Sequence, residues 1–462
     1  MIRRPTAVVL AVVVALVISA APSAARRTGT SGIGDPYFPT LGDPGYRVRH
    51  YDLALRVDPR TDTLAGTATI TATARHRLTR FRVDLVGLHV TRVAVNGKRT
   101  PVVQDHDKIV ISPATALATG SAFSLTVTYG GHPSPGVVPG IGLANGWITN
   151  GATSFTLGEP DAARRWFPAN DHPSEKVTFT FRITVPAGLT AIANGRLVHQ
   201  SQTRAGVTDE WQEDAPMAPY LAQVVVGNLI VDQHPGPGGV LLRNAYSPDT
   251  QASAAPAVAD TATMLAFFTD QFGPYPFREY GVVVPDMSAS GFGFESQTLS
   301  LLSPDVFAQR VAASTTLSHE LAHQWFGDDV SPAFWRDIWL NEGFATYAEW
   351  LWEDHALGVP LSANIADARR ILSRAQPTPV DNPGVDAMFA PTVYQRGALT
   401  LDALRRDVGD PVFFRILRTY LQHFAGRSAT TRDFVTTADA VAGRDLGPLF
   451  TAWLGAGPLP TS

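Results

Sequence analysis

His319-Glu320-Leu321-Ala322-His323, followed after an eighteen-residue gap (324 to 341) by Glu342, places three metal-ligating side chains and a spare carboxylate in one short region. Residues four apart share one face of a helix, so His319 and His323 can grip a single ion from successive turns. With Glu342 as the third protein ligand, a zinc ion keeps its fourth position for water, which separates a catalytic site from a closed structural one. Zinc lowers the pKa of such a water toward about 7. Glu320, beside the ion but outside its ligand set, then has the place of a general base. It would take the proton as water attacks a carbonyl and return it to the leaving amine. The chain contains no cysteine, so the ligands are nitrogen and oxygen only, and no disulfide can form.

Helices must present these groups. The segment Val311 to Phe326 has helical spacing, with Leu317, Leu321 and Phe326 as its apolar residues, and Asn341 to Ala348 opens a second helix. Helical periodicity is also predicted over Ala254–Phe272, Ser362–Arg374, Gly397–Val408, Pro411–Phe424 and Thr431–Val441, with a short strand at Tyr280–Pro285. Upstream the period changes to two. Tyr51–Asp58, Thr67–Ala74, Phe123–Thr128 and Val177–Val185 read as half-buried strands, and Asn96-Gly97 and Asn194-Gly195 as tight-turn pairs.

The expected fold is therefore α+β and multidomain. An all-β sandwich spans residues 46–233, and the breaker-rich run His234 to Gly239 joins it to a mostly helical catalytic domain with a small sheet at 240–457. Ahead of both, Arg3 and Arg4 precede an apolar run from Ala7 to Ala20 and small residues through Ala25. This pattern predicts a cleaved signal peptide over 1–25 and a secreted protein, with a signal anchor as the alternative. The run is too short for a comfortable membrane span. Residues 26–45, rich in Gly, Pro, Ser and Thr, are expected to be a flexible spacer. The net charge of −4 becomes −6 when residues 1–25, with Arg3 and Arg4 their only charges, are removed. Such a balance gives no footprint for nucleic acid, and it leaves the oligomeric state open.

The run His319 to Gly327, together with Trp339-Leu340-Asn341-Glu342-Gly343-Phe344-Ala345, resembles the aminopeptidase N family of gluzincin zinc peptidases, which includes leukotriene hydrolase-type enzymes. The likeness continues in Gly273-Pro274-Tyr275-Pro276-Phe277, in Glu159 to Pro168 with Asp171-His172-Pro173 and Lys176, and in Tyr394-Gln395-Arg396-Gly397. It covers most of residues 45 to 457. It implies a thermolysin-like catalytic domain, one Zn2+ per chain, and an aminopeptidase acting on peptides with a free N-terminus.

By the same resemblance, the Tyr394 hydroxyl joins zinc in stabilising the oxyanion. Glu295, in Gly291-Phe292-Gly293-Phe294-Glu295-Ser296, matches the glutamate of the family's GAMEN motif, and Glu159 matches a second amine-facing position. Carboxylates so placed pair with an α-ammonium group and reject internal peptide segments. Gly291 and Gly293 are expected to let substrate backbone approach closely. Phe292, Phe294, Ser296 and Leu157 depart from the pattern, so the shape of the first pocket is not carried over. The chain ends soon after Trp453, without the large C-terminal helical domain of many relatives, and a less enclosed cleft that admits longer peptides is the expectation. Other readings of the same residues are a zinc endopeptidase, an epoxide-opening relative, or a catalytically silent metal-containing binding module. The histidines outside the motif are expected at the surface or in local hydrogen bonds. Asp328 and Asp329 could orient an imidazole from outside the ligand set, but helix-end capping or solvent exposure is an equal reading, and they are not counted among the site residues.

Overall fold

Alternating burial builds the first half of the molecule. The computed structural model describes residues 32–204, 206–287 and 291–460, so the expected signal peptide lies outside the described residues. In strand Tyr46–Asp58 the tyrosine, leucine and valine side chains point inward while arginines point out. This strand is the middle of an eight-stranded sheet, pairing antiparallel with Thr63–Ala74 and parallel with Val177–Val185. A five-stranded sheet, which includes Ala144–Asn150 and Thr153–Leu157, and a three-stranded sheet complete the β-rich half.

Aromatic residues fill the space between the sheets. Tyr51 stacks on Phe179 at 4.9 Å and meets Phe167 edge-on at 5.4 Å. Trp166 lies 4.4 Å from Phe167 and 6.1 Å from Trp147 of the five-stranded sheet. Trp166 and Phe167 are fully buried, so the motif that carries Glu159 is anchored by the core itself.

The two turn pairs behave differently. Asn96 and Gly97, both at positive φ, close the hairpin between His89–Val95 and Lys98–Arg99, as two-residue turns favour. Asn194-Gly195 does not make a hairpin: Thr190–Ala193 pairs in the five-stranded sheet and Arg196–Thr203 in the eight-stranded one. The Asn194 side chain is buried and donates to the carbonyls of Leu221 and Gln297. A polar turn signal thus serves a buried corner, because the side-chain amide satisfies backbone groups that water cannot reach.

The second half carries its own sheet. Ile230–Pro235 pairs with Leu241–Tyr246, which leads on to Val282–Val284, Ser300–Leu302 and Gly293–Phe294. Gly236 to Gly239 is therefore a turn inside this sheet, and residue 233 lies within one of its strands. The predicted strand at 280–285 is two short ones, Glu279–Tyr280 and Val282–Val284.

Among the described residues the α-helices are α1 (Pro248–Val258), α2 (Thr261–Phe272), α3 (Arg310–His323), α4 (Trp339–Trp352), α5 (Leu361–Leu372), α6 (Gly397–Val408), α7 (Asp410–Phe424), α8 (Thr431–Ala442) and α9 (Gly447–Leu454). The helical run expected over Ala254–Phe272 is thus broken. Asp260 O accepts from the amides of Thr263 and Met264, opening α2, while the Thr261 hydroxyl donates back to Val258 O and caps α1. No helix among the described residues is long and apolar enough to cross a membrane.

Residues 32–45, expected as part of a flexible spacer, are instead pinned to the body. Asp35 is buried and accepts from the amides of Tyr37 (2.7 Å), Phe38 (3.0 Å) and Trp335 (2.8 Å). Tyr37 Oη donates to Asn382 and accepts from Gly384 N. His172 is locally hydrogen-bonded, as expected of the histidines outside the motif, with Ser174 Oγ 2.7 Å from its Nδ1. It is buried against Asp35, 3.7 Å away, and burial pushes its pKa down to about 4. Glycine and serine content predicted flexibility, but a few side chains with buried partners override composition.

Candidate active site

The metal-ligand face is built by α3 and α4. Leu317, Leu321 and Ala322 of α3 are fully buried, and α4 is buried along almost its whole length. Trp352 Nε1 donates to Ser314 Oγ at 3.0 Å, tying the two helices side by side. His319 Nε2 and His323 Nε2 then lie 3.3 and 3.5 Å from Glu342 Oε2. Zinc ligands about 2.0–2.1 Å from the ion in a tetrahedron stand roughly 3.4 Å apart, so the observed spacing fits one zinc ion held by His319, His323 and Glu342.

The outward ring nitrogens support the same assignment. His319 Nδ1 meets Glu349 Oε2 at 3.2 Å, and His323 Nδ1 meets Phe326 O at 3.1 Å. With their Nδ1 protons directed at these acceptors, both imidazoles turn a lone pair inward. Glu349 was not singled out from the sequence, although it lies seven residues beyond Glu342 and so on the same face two turns on. Asp328 and Asp329 do not take that place. Lys176 Nζ donates to both their backbone carbonyls, and Asp329 Oδ1 accepts from Gly426 N. Glu349→Ala is expected to weaken zinc affinity about 10–100-fold with the helices intact, as read by chelator competition and circular dichroism. Unchanged affinity would remove Glu349 from the site.

Electrostatics favour cations here. Burial would raise the Glu342 carboxyl, but His323 and His319 hold it down to about 2. Burial pushes Glu320 up to about 7, against the pull of the two histidines. Glu159 and Glu295 are raised by burial as well, Glu159 also by the charge of Glu295. Several buried carboxylates surround two imidazoles, an arrangement that needs positive charge from outside the chain to be comfortable.

Gly293 also makes room within the fold. A Cβ at this position would overlap Glu320 Oε1, so the missing side chain makes room first for the Glu320 carboxylate. Gly291, at φ +60°, lines the same cavity and donates its amide to Asp305. Among the described residues, Gly293–Phe294 is an edge strand, pairing with Ser300–Leu302, the kind of element to which an extended chain can add.

Tyr394 sits on a π-helical turn, Thr392–Arg396, just ahead of α6. Two glycines bring it in. A Cβ on Gly343 of α4 would come within 2.9 Å of Gly397 Cα, and one on Gly397 within 2.8 Å of Gly343 Cα. Their absence lets the helices touch backbone to backbone, and the Tyr394 ring stacks over His319 at 6.2 Å. Burial, then the charge of Glu342, raises its phenol well above the usual range, so it stays a hydrogen-bond donor.

These groups line one cavity of about 230 Å³: His319, Glu320, His323, Glu342, Tyr394, Glu159, Glu295, Gly291 and Gly293 are all on its wall. Oxygen atoms of Glu159, Glu295 and Glu342 lie within 4.8 Å of one another. Glu159 Oε1 and Glu295 Oε1 are buried without a hydrogen-bond partner. The departures Leu157, Phe292 and Phe294 also line the cavity, whereas Ser296 is buried behind it. Val138, Ile141, Leu143 and Phe389 add an apolar rim that sequence periodicity did not reveal, because these residues lie in short irregular segments.

Comparison with known proteins agrees with this geometry. Residues 48–221 match the peptidase M1 N-terminal domain, and residues 257–453 match the peptidase family M1 domain. An M1 zinc metallopeptidase mutant from Deinococcus radiodurans, solved with a Tyr-Ser-Ala substrate, superposes with a TM-score of 0.86 at 35% identity, covering 93% of this chain and 98% of that one. Endoplasmic reticulum aminopeptidase 1 of Rattus norvegicus is 26% identical over 423 residues, 83% of this chain and 45% of the relative. Leukotriene A-4 hydrolase of Xenopus laevis is 25% identical over 425 residues, 84% of this chain and 67% of that protein. The chain thus spans about half the length of the aminopeptidase it matches. With both M1 domain models matched in order and a solved M1 enzyme aligned over nearly its whole length, this chain belongs to the peptidase M1 family of zinc metallopeptidases.

Proposed function

We propose that this protein is an aminopeptidase that removes N-terminal residues from peptides, with one zinc ion per chain. The observation that carries the reading is the pair of unpartnered, buried carboxylate oxygens on Glu159 and Glu295, in the same cavity as the histidines. Unpaired buried acceptors are costly, and an α-ammonium group supplies both the charge and the donors they lack. An internal peptide segment brings neither, so the cavity counts from the substrate's end.

Zinc held by His319, His323 and Glu342 would supply Lewis acidity, polarising a carbonyl and acidifying water. Glu320 takes the proton of the attacking water and passes it to the departing amine, a task suited to a carboxyl that burial has pushed up to about 7. Tyr394, kept protonated by burial, donates to the oxyanion. The edge strand Gly293–Phe294 aligns the substrate backbone, and the apolar rim favours uncharged first side chains. Export belongs to this proposal and rests on Arg3, Arg4 and the apolar run to Ala20.

A free peptide and its N-acetylated counterpart decide the matter. Cleavage confined to the free peptide is expected. Equal cleavage of both would replace this reading with that of a zinc endopeptidase.

A further inference from the structure

Thr298, three residues beyond Glu295, has φ +63°. For a β-branched side chain this left-handed backbone is an outlier, whereas glycine adopts it freely. Such strain persists only where the surroundings over-determine it, and it concentrates at functional sites.

The surroundings here come from both halves of the fold. Thr298 N donates to Gln324 Oε1 at 2.8 Å. The Thr298 hydroxyl donates to Glu213 Oε2 at 3.2 Å and accepts from Gly195 N at 2.8 Å. Glu213 belongs to strand Gly206–Met217 of the eight-stranded sheet. Gln324, the residue after the ligand His323, also donates from Nε2 to Glu295 O at 3.0 Å. Tyr275 Oη donates to the same Gln324 Oε1 at 3.3 Å. Gln324, Thr298 and Glu213 are all almost completely buried, so water does not compete for these bonds. One amide side chain thus ties the end of the metal-ligand helix to the backbone of Glu295, and one hydroxyl ties that loop to the β-rich half.

We propose that Gln324, Thr298 and Glu213 form a brace that holds Glu295 where a substrate's α-ammonium group is recognised, making them positioning residues for N-terminal selection. The proposal rests on the aminopeptidase reading above. It explains why a strained threonine stands where glycine would be easier: the hydroxyl, absent from glycine, is what joins the loop to Glu213 and Gly195.

The test uses the zinc-loaded full chain with Thr298→Gly and Thr298→Ser. The readouts are KM and kcat on a free peptide, cleavage of its N-acetylated form, calorimetric binding of L-leucine amide, and zinc content. Thr298→Gly relieves the backbone but loses the hydroxyl. KM and the leucine amide Kd are expected to rise about tenfold, the size of one lost buried hydrogen bond, with kcat and zinc content nearly unchanged. Thr298→Ser keeps the hydroxyl and is expected to behave as wild type. Wild-type KM and leucine amide binding in Thr298→Gly would overturn the proposal, as would a fall in zinc content that accounts for the loss. If Thr298→Gly does not fold, Gln324→Leu takes its place with the same expected signature, and failure of both to fold would assign these residues to the core and end the proposal. A wild-type protein that neither cleaves free peptides nor binds leucine amide would instead sink the aminopeptidase reading, a separate result.

Discussion

Glu320→Gln is expected to lower kcat by about 10²–10⁴-fold, the usual contribution of a general base, while the protein keeps its zinc and its melting temperature. The side chain is buried on α3 between the two ligand histidines, with its carboxylate against the backbone of Gly293. Glutamine fills the same space without the ability to accept a proton, so the substitution isolates chemistry from packing. KM should change little, because Glu159 and Glu295, the carboxylates proposed to meet the substrate's amine, are untouched. Steady-state kinetics and metal analysis of one preparation check this. Activity within about tenfold of wild type would assign the proton transfer to another group.

His323→Ala is expected to abolish activity by losing the metal. Glu342 Oε2 lies 3.5 Å from His323 Nε2 and 3.3 Å from His319 Nε2, so one deletion leaves only two protein ligands, too few for a stable catalytic zinc site. The metal-free protein should suffer too. His323 is the first of the groups that hold the buried Glu342 carboxyl down to about 2. Removing one partner of a buried pair costs about 3–5 kcal/mol. The sign follows from the depressed pKa. Glu342 contributes stability above its unfolded value near 4.5, and this is lost as pH falls toward about 2. At neutral pH the wild-type protein therefore holds that contribution in full, and the variant lacks much of it. Elemental analysis after dialysis and thermal unfolding of both metal-free proteins test the two halves. Full zinc occupancy in His323→Ala would remove His323 from the ligand set.

Local patterning made much of the molecule legible. The strands around Tyr51, Thr67, Phe123 and Val177 alternate because one face is buried. Helix α3 could be read for a different reason: its ligands recur every four residues. Where packing overrides local preference, the reading failed. Residues 32–45 look like a spacer but carry Asp35, whose partner Trp335 lies 300 residues away. No local window contains such a partner.

The residues around the chemistry divide in the same way. His319, Glu320 and His323 were evident as candidates because the helix repeat sets their spacing, whereas Glu342, on the next helix, stood out by residue type and by the family resemblance. The support for them was hidden. Glu349 behind His319, Gly293 yielding space to Glu320, the Gly343–Gly397 contact that delivers Tyr394, and the links among Glu213, Thr298 and Gln324 all join segments far apart in the chain. Side-chain types at helical intervals named the candidates for the chemistry, since reactivity resides in the side chain. The distances between those candidates came from the fold, because long-range packing requires each buried group to find its partner wherever the chain happens to bring one.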